Sequence, residues 1–191
     1  MSSTPHISLR ERQKAGTRAL ILKTVERSLN DHSLGELSLA TVAREAGITE
    51  RTVYRHFATR EQLLEATWDA VNAAIGVKLF PSTAQELIDR PKTLFPAFAR
   101  RGEVIRAMLA SPQGRELRLR ANKERQAAIR AVVKSVRPNL REPALTRLCA
   151  AVQALGSASG WATMVDYWGL DSVQAGRAAS EAIAALLNPK A

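Results

Sequence analysis

Residues 38–60 read SLATVAREAGITERTVYRHFATR, and three helix starts fall inside this stretch. Ser38, Thr49 and Thr59 each stand just before a segment of helical apolar spacing, where a hydroxyl can accept from the unpaired amides of a first turn. The spacing predicts a short helix over Leu39–Ala46 that buries Leu39, Val42 and Ala43, closed by Gly47 in the left-handed conformation that ends helices. A second is predicted over Glu50–Phe57. Val53 and Phe57, four residues apart, take its inward face and leave Glu50, Arg51, Thr52, Tyr54, Arg55 and His56 to point elsewhere. Two short helices joined by a glycine turn, the second rich in cationic and hydrogen-bonding side chains, match the helix-turn-helix that sets a recognition helix in the DNA major groove.

Working outward, a helix over Arg12–Asn30 is expected to bury Leu20, Ile21, Val25 and Leu29 under the two short helices. Met1 to Leu9 reads as a polar tail, and Asp31–Leu37, with Gly35, as a loop. Arg10, Arg12, Lys14 and Arg18 either hang near a DNA backbone or keep a frayed terminus in solution. Downstream, Thr59 and Gln62 form a capping-box pattern that opens a longer helix to about Leu79, with a stripe of Leu64, Trp68, Val71, Ile75 and Leu79. Phe80-Pro81 stops it. From Thr83 onward no run alternates with a period of two, and helices are read near 83–99, 103–110, 113–136, 143–167 and 172–187. The expected fold is all-α, with a three-helix head over residues 1–58 and a helical body over 59–191.

A chain of 191 residues buries roughly 70% of its unfolded surface, enough for a core without disulfides or metals. The lone Cys149 has no partner for a bridge and no N-terminal apolar run resembles a signal peptide, so a cytoplasmic location is expected. No stretch reaches the roughly 20 apolar residues of a membrane span; Ala154–Val165 is interrupted by Gly156, Ser157, Ser159 and Gly160 and reads as a buried helix. The net charge is +10, which suits a polyanion. Its distribution weakens that inference. Residues 1–60 hold ten Lys or Arg against six Asp or Glu, whereas residues 100–147 hold thirteen against four, and a solvated helix face accounts for the central excess.

Enzymatic readings find little support. His6, His32 and His56 are scattered, Cys149 has no local partner pattern, and neither metal-ligand spacing nor a phosphate-cradling glycine loop occurs, so no catalytic residue, metal or cofactor is expected. Ser157–Gly160 lies within an apolar helix, not on the strand-to-helix elbow of a nucleophile.

The last two predicted helices carry small and apolar faces. Leu145, Leu148, Val152, Leu155, Ser159 and Ala162 line one, and Ala175, Ala178, Ala179, Ala182, Ile183, Leu186 and Leu187 the other. That is more apolar surface than one domain easily covers, and it suggests burial against a second copy. Phe95, Phe98, Ile105, Met108 and Leu109, with Trp161, Met164, Val165, Tyr167 and Trp168, either line a cavity between helices or simply pack as core. Arg100, Arg101 and Arg106 either attract an anionic ligand or lie on a solvated surface.

The runs Leu39-Ala-Thr-Val-Ala-Arg-Glu-Ala-Gly-Ile-Thr, Val53-Tyr-Arg-His-Phe and Thr59-Arg-Glu-Gln-Leu-Leu resemble the tetracycline-repressor (TetR) family, most specifically over Thr17–Leu64. The resemblance implies a ligand-responsive repressor with no enzymatic activity, dimeric through its last two helices, that binds a palindromic double-stranded operator and releases it to an unknown small-molecule effector. It makes Glu50, Arg51, Thr52 and Arg55 the candidates for base edges, with Tyr54 and His56 as backbone contacts and Ser38, Thr49 and Arg60 near phosphates. A cap alone also explains Ser38 and Thr49. Arg51 departs from the family, where that position is often a short residue. The alternative is a helical interaction module whose basic segment meets an acidic protein partner.

Overall fold

The computed structural model describes residues 8–31, 36–76 and 80–188, and among them every regular element is helical. Residues 1–7 of the polar tail, which include His6, together with His32, Gly35 and Leu79, lie outside the described residues. Contacts divide the chain into two compact units, Met1–Val71 and Asn72–Ala191.

The first unit holds α1 (Leu9–Asp31), α2 (Leu39–Ala46), α3 (Glu50–His56) and most of α4 (Arg60–Ile75). α1 begins earlier than expected because Ser8 and Glu11 form a reciprocal cap: Glu11 N donates to Ser8 Oγ at 3.2 Å and Ser8 N to Glu11 Oε2 at 2.9 Å. Its buried stripe is Ile21, Thr24, Val25, Ser28 and Leu29. Leu20, expected inside, is 44% exposed, since the stripe is centred on 21, 25 and 28 and leaves residue 20 beyond its edge.

Local signals hold closely through the helix-turn-helix. Ser38 Oγ accepts from Thr41 N at 3.0 Å and Thr49 Oγ1 from Thr52 N at 3.2 Å. Between them Gly47 sits at φ 67°, ψ 31°, and Ile48 N reaches back to Ala43 O at 3.1 Å. This left-handed turn closes α2 and re-aims the chain into α3, a conformation that glycine adopts without a steric cost. Phe57 is not helical but caps α3, with φ −141° and ψ 105°; its ring is still buried beside Val53, as its spacing requires.

α4 opens with Thr59 Oγ1 accepting from Gln62 N at 3.2 Å, while the Gln62 carboxamide accepts from Ala58 N instead of Thr59 N. Leu63, Leu64, Thr67, Val71 and Ile75 are buried and Trp68 only half-buried. The first three turns of α4 thus bury side chains in the first unit, and the contact division falls beyond residue 58, where the sequence placed the end of the head.

The second unit comprises α5 (Ala84–Ala99), α6 (Gly102–Ala110), α7 (Pro112–Arg120), α8 (Asn122–Val136), α9 (Ala144–Leu155), α10 (Ala158–Ala162) with a π turn over Thr163–Tyr167, and α11 (Ser172–Leu187). Its most extensive pairing sets α11 on α5. Gly176 permits this closeness, because a Cβ there would lie 2.8 Å from Pro91 O. Leu87, Ile129, Val132, Val133, Leu145, Val152, Ile183 and Leu187 form one apolar cluster from α5, α8, α9 and α11.

Two helices expected to be continuous are broken. The 113–136 segment divides at Ala121. The 143–167 segment divides at Gly156–Ser157, where Ser157 Oγ accepts from Gly160 N at 3.1 Å and starts a new helix. The two parts are bent by 55°. Among the described residues no single helix is long and apolar enough to cross a membrane.

Candidate nucleic-acid interface

α3 separates two kinds of side chain. Val53 is fully buried, while Glu50, Arg51, Tyr54 and Arg55 are exposed and Thr52 and His56 are half-buried. Tyr54, 52% exposed, is a large ring left in solvent beside two arginines, which suits contact with a partner better than core packing. Glu50 sits in the first turn and Arg55 and His56 in the last, each favourably placed against the helix dipole.

The caps constrain some of these groups. Ser38 Oγ lies 2.9 Å from Thr41 Oγ1, and Thr49 Oγ1 lies 3.0 Å from Thr52 Oγ1. A hydroxyl has two lone pairs and one proton, so each pair keeps acceptor capacity, while its local job is to start a helix. Arg60 has a structural role as well: its Nε donates to Leu37 O at 2.7 Å, pinning the segment before α2 to the start of α4.

α1 contributes more than the sequence settled. The Arg18 guanidinium lies 4.4 Å from the centre of the Phe57 ring, a cation–π contact worth about 0.5–1 kcal/mol. Burial first, then the charges of Arg55, Lys14 and Arg18, hold the His56 imidazole below the usual histidine range. The basic residues near the start of α1 and the end of α3 therefore share one positive field.

The aromatic set of the body is packed. Phe95 and Phe98 stack with centroids 6.2 Å apart, and Phe98 meets Trp161 edge-on at 5.8 Å. Trp161 Nε1 donates to Ser172 Oγ at 2.9 Å, and Phe95, Phe98, Ile105, Met108 and Trp161 are buried. Arg106 covers this group from outside, 5.0 Å from the Trp161 ring and paired with Asp166 at 2.6 Å. Met164 and Val165 are half-buried, and Tyr167 and Trp168 are 85% and 77% exposed. Tyr167 and Trp168 therefore face solvent in the single chain.

A cavity of about 530 Å³ lies between α7, α8 and α9, reached by Leu109 alone of the aromatic-pocket candidates and lined by polar and apolar groups including Arg115, Arg118, Asn122, Arg125, Ile129, Arg130, Cys149 and Gln153. Burial pushes the Cys149 thiol up, away from the thiolate that nucleophilic chemistry needs. Among the described residues no three His, Cys, Asp or Glu side chains group as a metal site would require.

A capped, outward-facing second helix in a head of short helices, followed by a helical body, defines a helix-turn-helix DNA-binding protein. Residues 21–67 match the family model described as bacterial regulatory proteins, tetR family. The fold is similar to NalD, the secondary repressor of the MexAB-OprM multidrug efflux pump in Pseudomonas aeruginosa, with a TM-score of 0.66 at 18% identity over 90% of this chain and 95% of that one. It is also similar to a TetR family transcription regulator from Marinobacter aquaeolei (TM-score 0.58, 21% identity, 91% and 98% covered) and to the TetR family transcriptional regulator PfmR from Thermus thermophilus (0.56, 17%, 90% and 99%). No curated relative matches the sequence. Residues 21–67 thus match the DNA-binding head of the tetR family, and the chain as a whole shares the fold of regulators of that family.

Proposed function

We propose that this protein is a repressor that binds a palindromic operator as a homodimer and releases it when a small molecule occupies the body. The observation that carries the reading is the division of α3, which buries Val53 and presents Glu50, Arg51, Thr52, Tyr54 and Arg55 outward. One such helix reads one half-site, and two copies related by a two-fold axis read a palindrome. Leu186 at the end of α11, Val173 at its start, and Tyr167 and Trp168 just before it are exposed in the single chain, which supports a second copy packing along α11 and the turn before it. NalD is described as a repressor, and that supports repression as the sign. α4 begins in the first unit and ends in the second; a shift of it on effector binding would change DNA affinity, and DNA would change effector affinity by the same factor.

The test is binding of the purified protein to a duplex from its own promoter, measured across salt together with sedimentation at micromolar protein. Two chains per duplex and an affinity that falls steeply with salt are expected. A monomer on and off DNA would defeat the dimeric reading.

His56 supplies a second check. Its imidazole is held neutral in the free head at neutral pH, whereas a phosphate beside it favours the protonated form. DNA affinity is therefore expected to rise a few-fold as pH falls from about 8 to about 5.5. The free head has the opposite slope. Because the folded pKa is depressed, the unfolded chain takes up the proton first, and the head loses a little stability below the usual histidine range. In His56→Gln both slopes should flatten; a rise in affinity that persists in this variant would assign the proton to another group.

A further inference from the structure

The cavity between α7, α8 and α9 has an unbalanced lining. Arg115, Arg118, Arg125 and Arg130 all reach it, and no aspartate or glutamate is among the residues that line it. Arg130 is already neutralised, since its guanidinium pairs with Glu142 and donates to Thr146 Oγ1 at 2.9 Å. Among the described residues the other three pair with no carboxylate. Arg118 donates to Met108 O and Arg125 Nη1 to Arg118 O at 3.3 Å, so their partners are carbonyls that hold the side chains in place and leave their charge uncompensated.

Arg118 and Arg125 are half-buried, and the energetics of that placement are unfavourable. Burial pulls both guanidiniums below the usual arginine range, and Arg118 is pulled further by Arg115 and Arg125. Desolvated like charges cost free energy unless an anion meets them. The remaining walls differ in character: Leu109, Ile129, Ala150, Ala154 and Ala158 are apolar. A volume of about 530 Å³ falls within the range of small-molecule sites.

We propose that this cavity binds an amphipathic organic anion, whose carboxylate or phosphate head is held by Arg118 and Arg125 while its apolar body lies against Leu109, Ile129 and Ala154. The inference deepens the ligand-responsive reading and rests on it. Arginine forks pair with two oxygens of either head group, and the apolar walls disfavour a bare inorganic ion. Arg115, exposed at the edge of the cluster, adds to the field that draws the anion in.

The probes are decanoate, decyl phosphate and decanol, titrated below their aggregation limits into the full-length protein by calorimetry. Either anion is expected to bind once per chain, more weakly as salt rises, with decanol weaker by about tenfold or more. Which of the two anions binds more tightly identifies the head group. Arg125→Gln should weaken the anion about tenfold or more and leave decanol unchanged, and Arg125→Lys should recover part of the loss. Equal binding of decanol and both anions by the wild type, or no binding of any of them, overturns the proposal without recourse to a variant. Operator affinity is measured in parallel. Anion binding that leaves DNA affinity unchanged supports the site and defeats effector-controlled release, whereas intact DNA binding with no anion bound defeats the site alone.

Discussion

Replacing Phe57 with alanine is expected to cost the head about 3–5 kcal/mol, the range for removing a buried phenyl ring from a core that only partly collapses. Phe57 is 2% exposed, and it sits where α3 ends and the chain turns toward α4. Its amide donates to Val53 O at 2.9 Å, and the Arg18 guanidinium covers its ring. Truncation therefore removes apolar burial, a cation–π contact and the neighbour of Val53 together. Native-state hydrogen exchange reads the effect separately for the two units. The amides of Val25 and Val42 should exchange roughly a hundredfold or more faster in Phe57→Ala, while that of Ile183 should keep its protection. An unchanged head would mean that the ring contributes little to the core. Because a marginal domain has a total stability of only about 5–15 kcal/mol, the variant should also lose much of its DNA binding even though it retains every outward side chain of α3.

Phe57 illustrates why the head was readable from sequence and much of the body was not. Ser38, Thr49, Gly47, Val53 and Phe57 act through bonds and contacts within a few residues of themselves, and a cap or a left-handed turn is specified locally. Even the error at Leu20 is one of phase within a correct helix. In the body the decisive information is tertiary. Arg115, Arg118, Asn122, Arg125 and Ile129 recur at steps of three and four, a one-sided pattern that a solvated basic face would show equally well. Only the packing of α9 against α8 turns Arg118 and Arg125 into cavity walls. The absence of acids from that face was a visible signal, and it points toward a cluster of positive charge without carboxylate partners once α9 is known to border the face. The aromatic residues left two readings open, cavity lining or core packing. Phe95, Phe98 and Trp161 fill one another's space through ring contacts, and spacing along a helix does not distinguish rings that line a hole from rings that close it. The break at Gly156–Ser157 lies between these cases. Ser157 carries an N-cap signal like that of Ser38, but the apolar run on both sides conceals it.

Arg51→Ala and Tyr54→Phe are expected to separate reading from holding within one helix turn. Both side chains are exposed on α3, and Arg51 sits near its N-terminus, the end that enters the groove in this motif. An arginine that bonds both acceptors of a guanine edge discriminates that base by about 1–3 kcal/mol. Arg51→Ala should therefore lower affinity for the preferred operator by that amount and leave binding to a duplex altered at the contacted base nearly unchanged. Tyr54→Phe removes one hydroxyl and keeps the ring. If that hydroxyl meets a phosphate, every duplex should lose about 1 kcal/mol alike, with no change in sequence preference. The salt dependence distinguishes the alternatives, since loss of a cation from a phosphate contact reduces the slope of log affinity against log salt by about 1, whereas loss of a neutral hydroxyl leaves it in place. If Arg51→Ala weakens all duplexes equally and lowers the slope, Arg51 is a phosphate anchor, and base recognition must then come from Glu50, Thr52 and Arg55. Because a short residue often occupies position 51 in the family that this head resembles, a base-reading arginine there would give this protein an operator preference that such relatives lack.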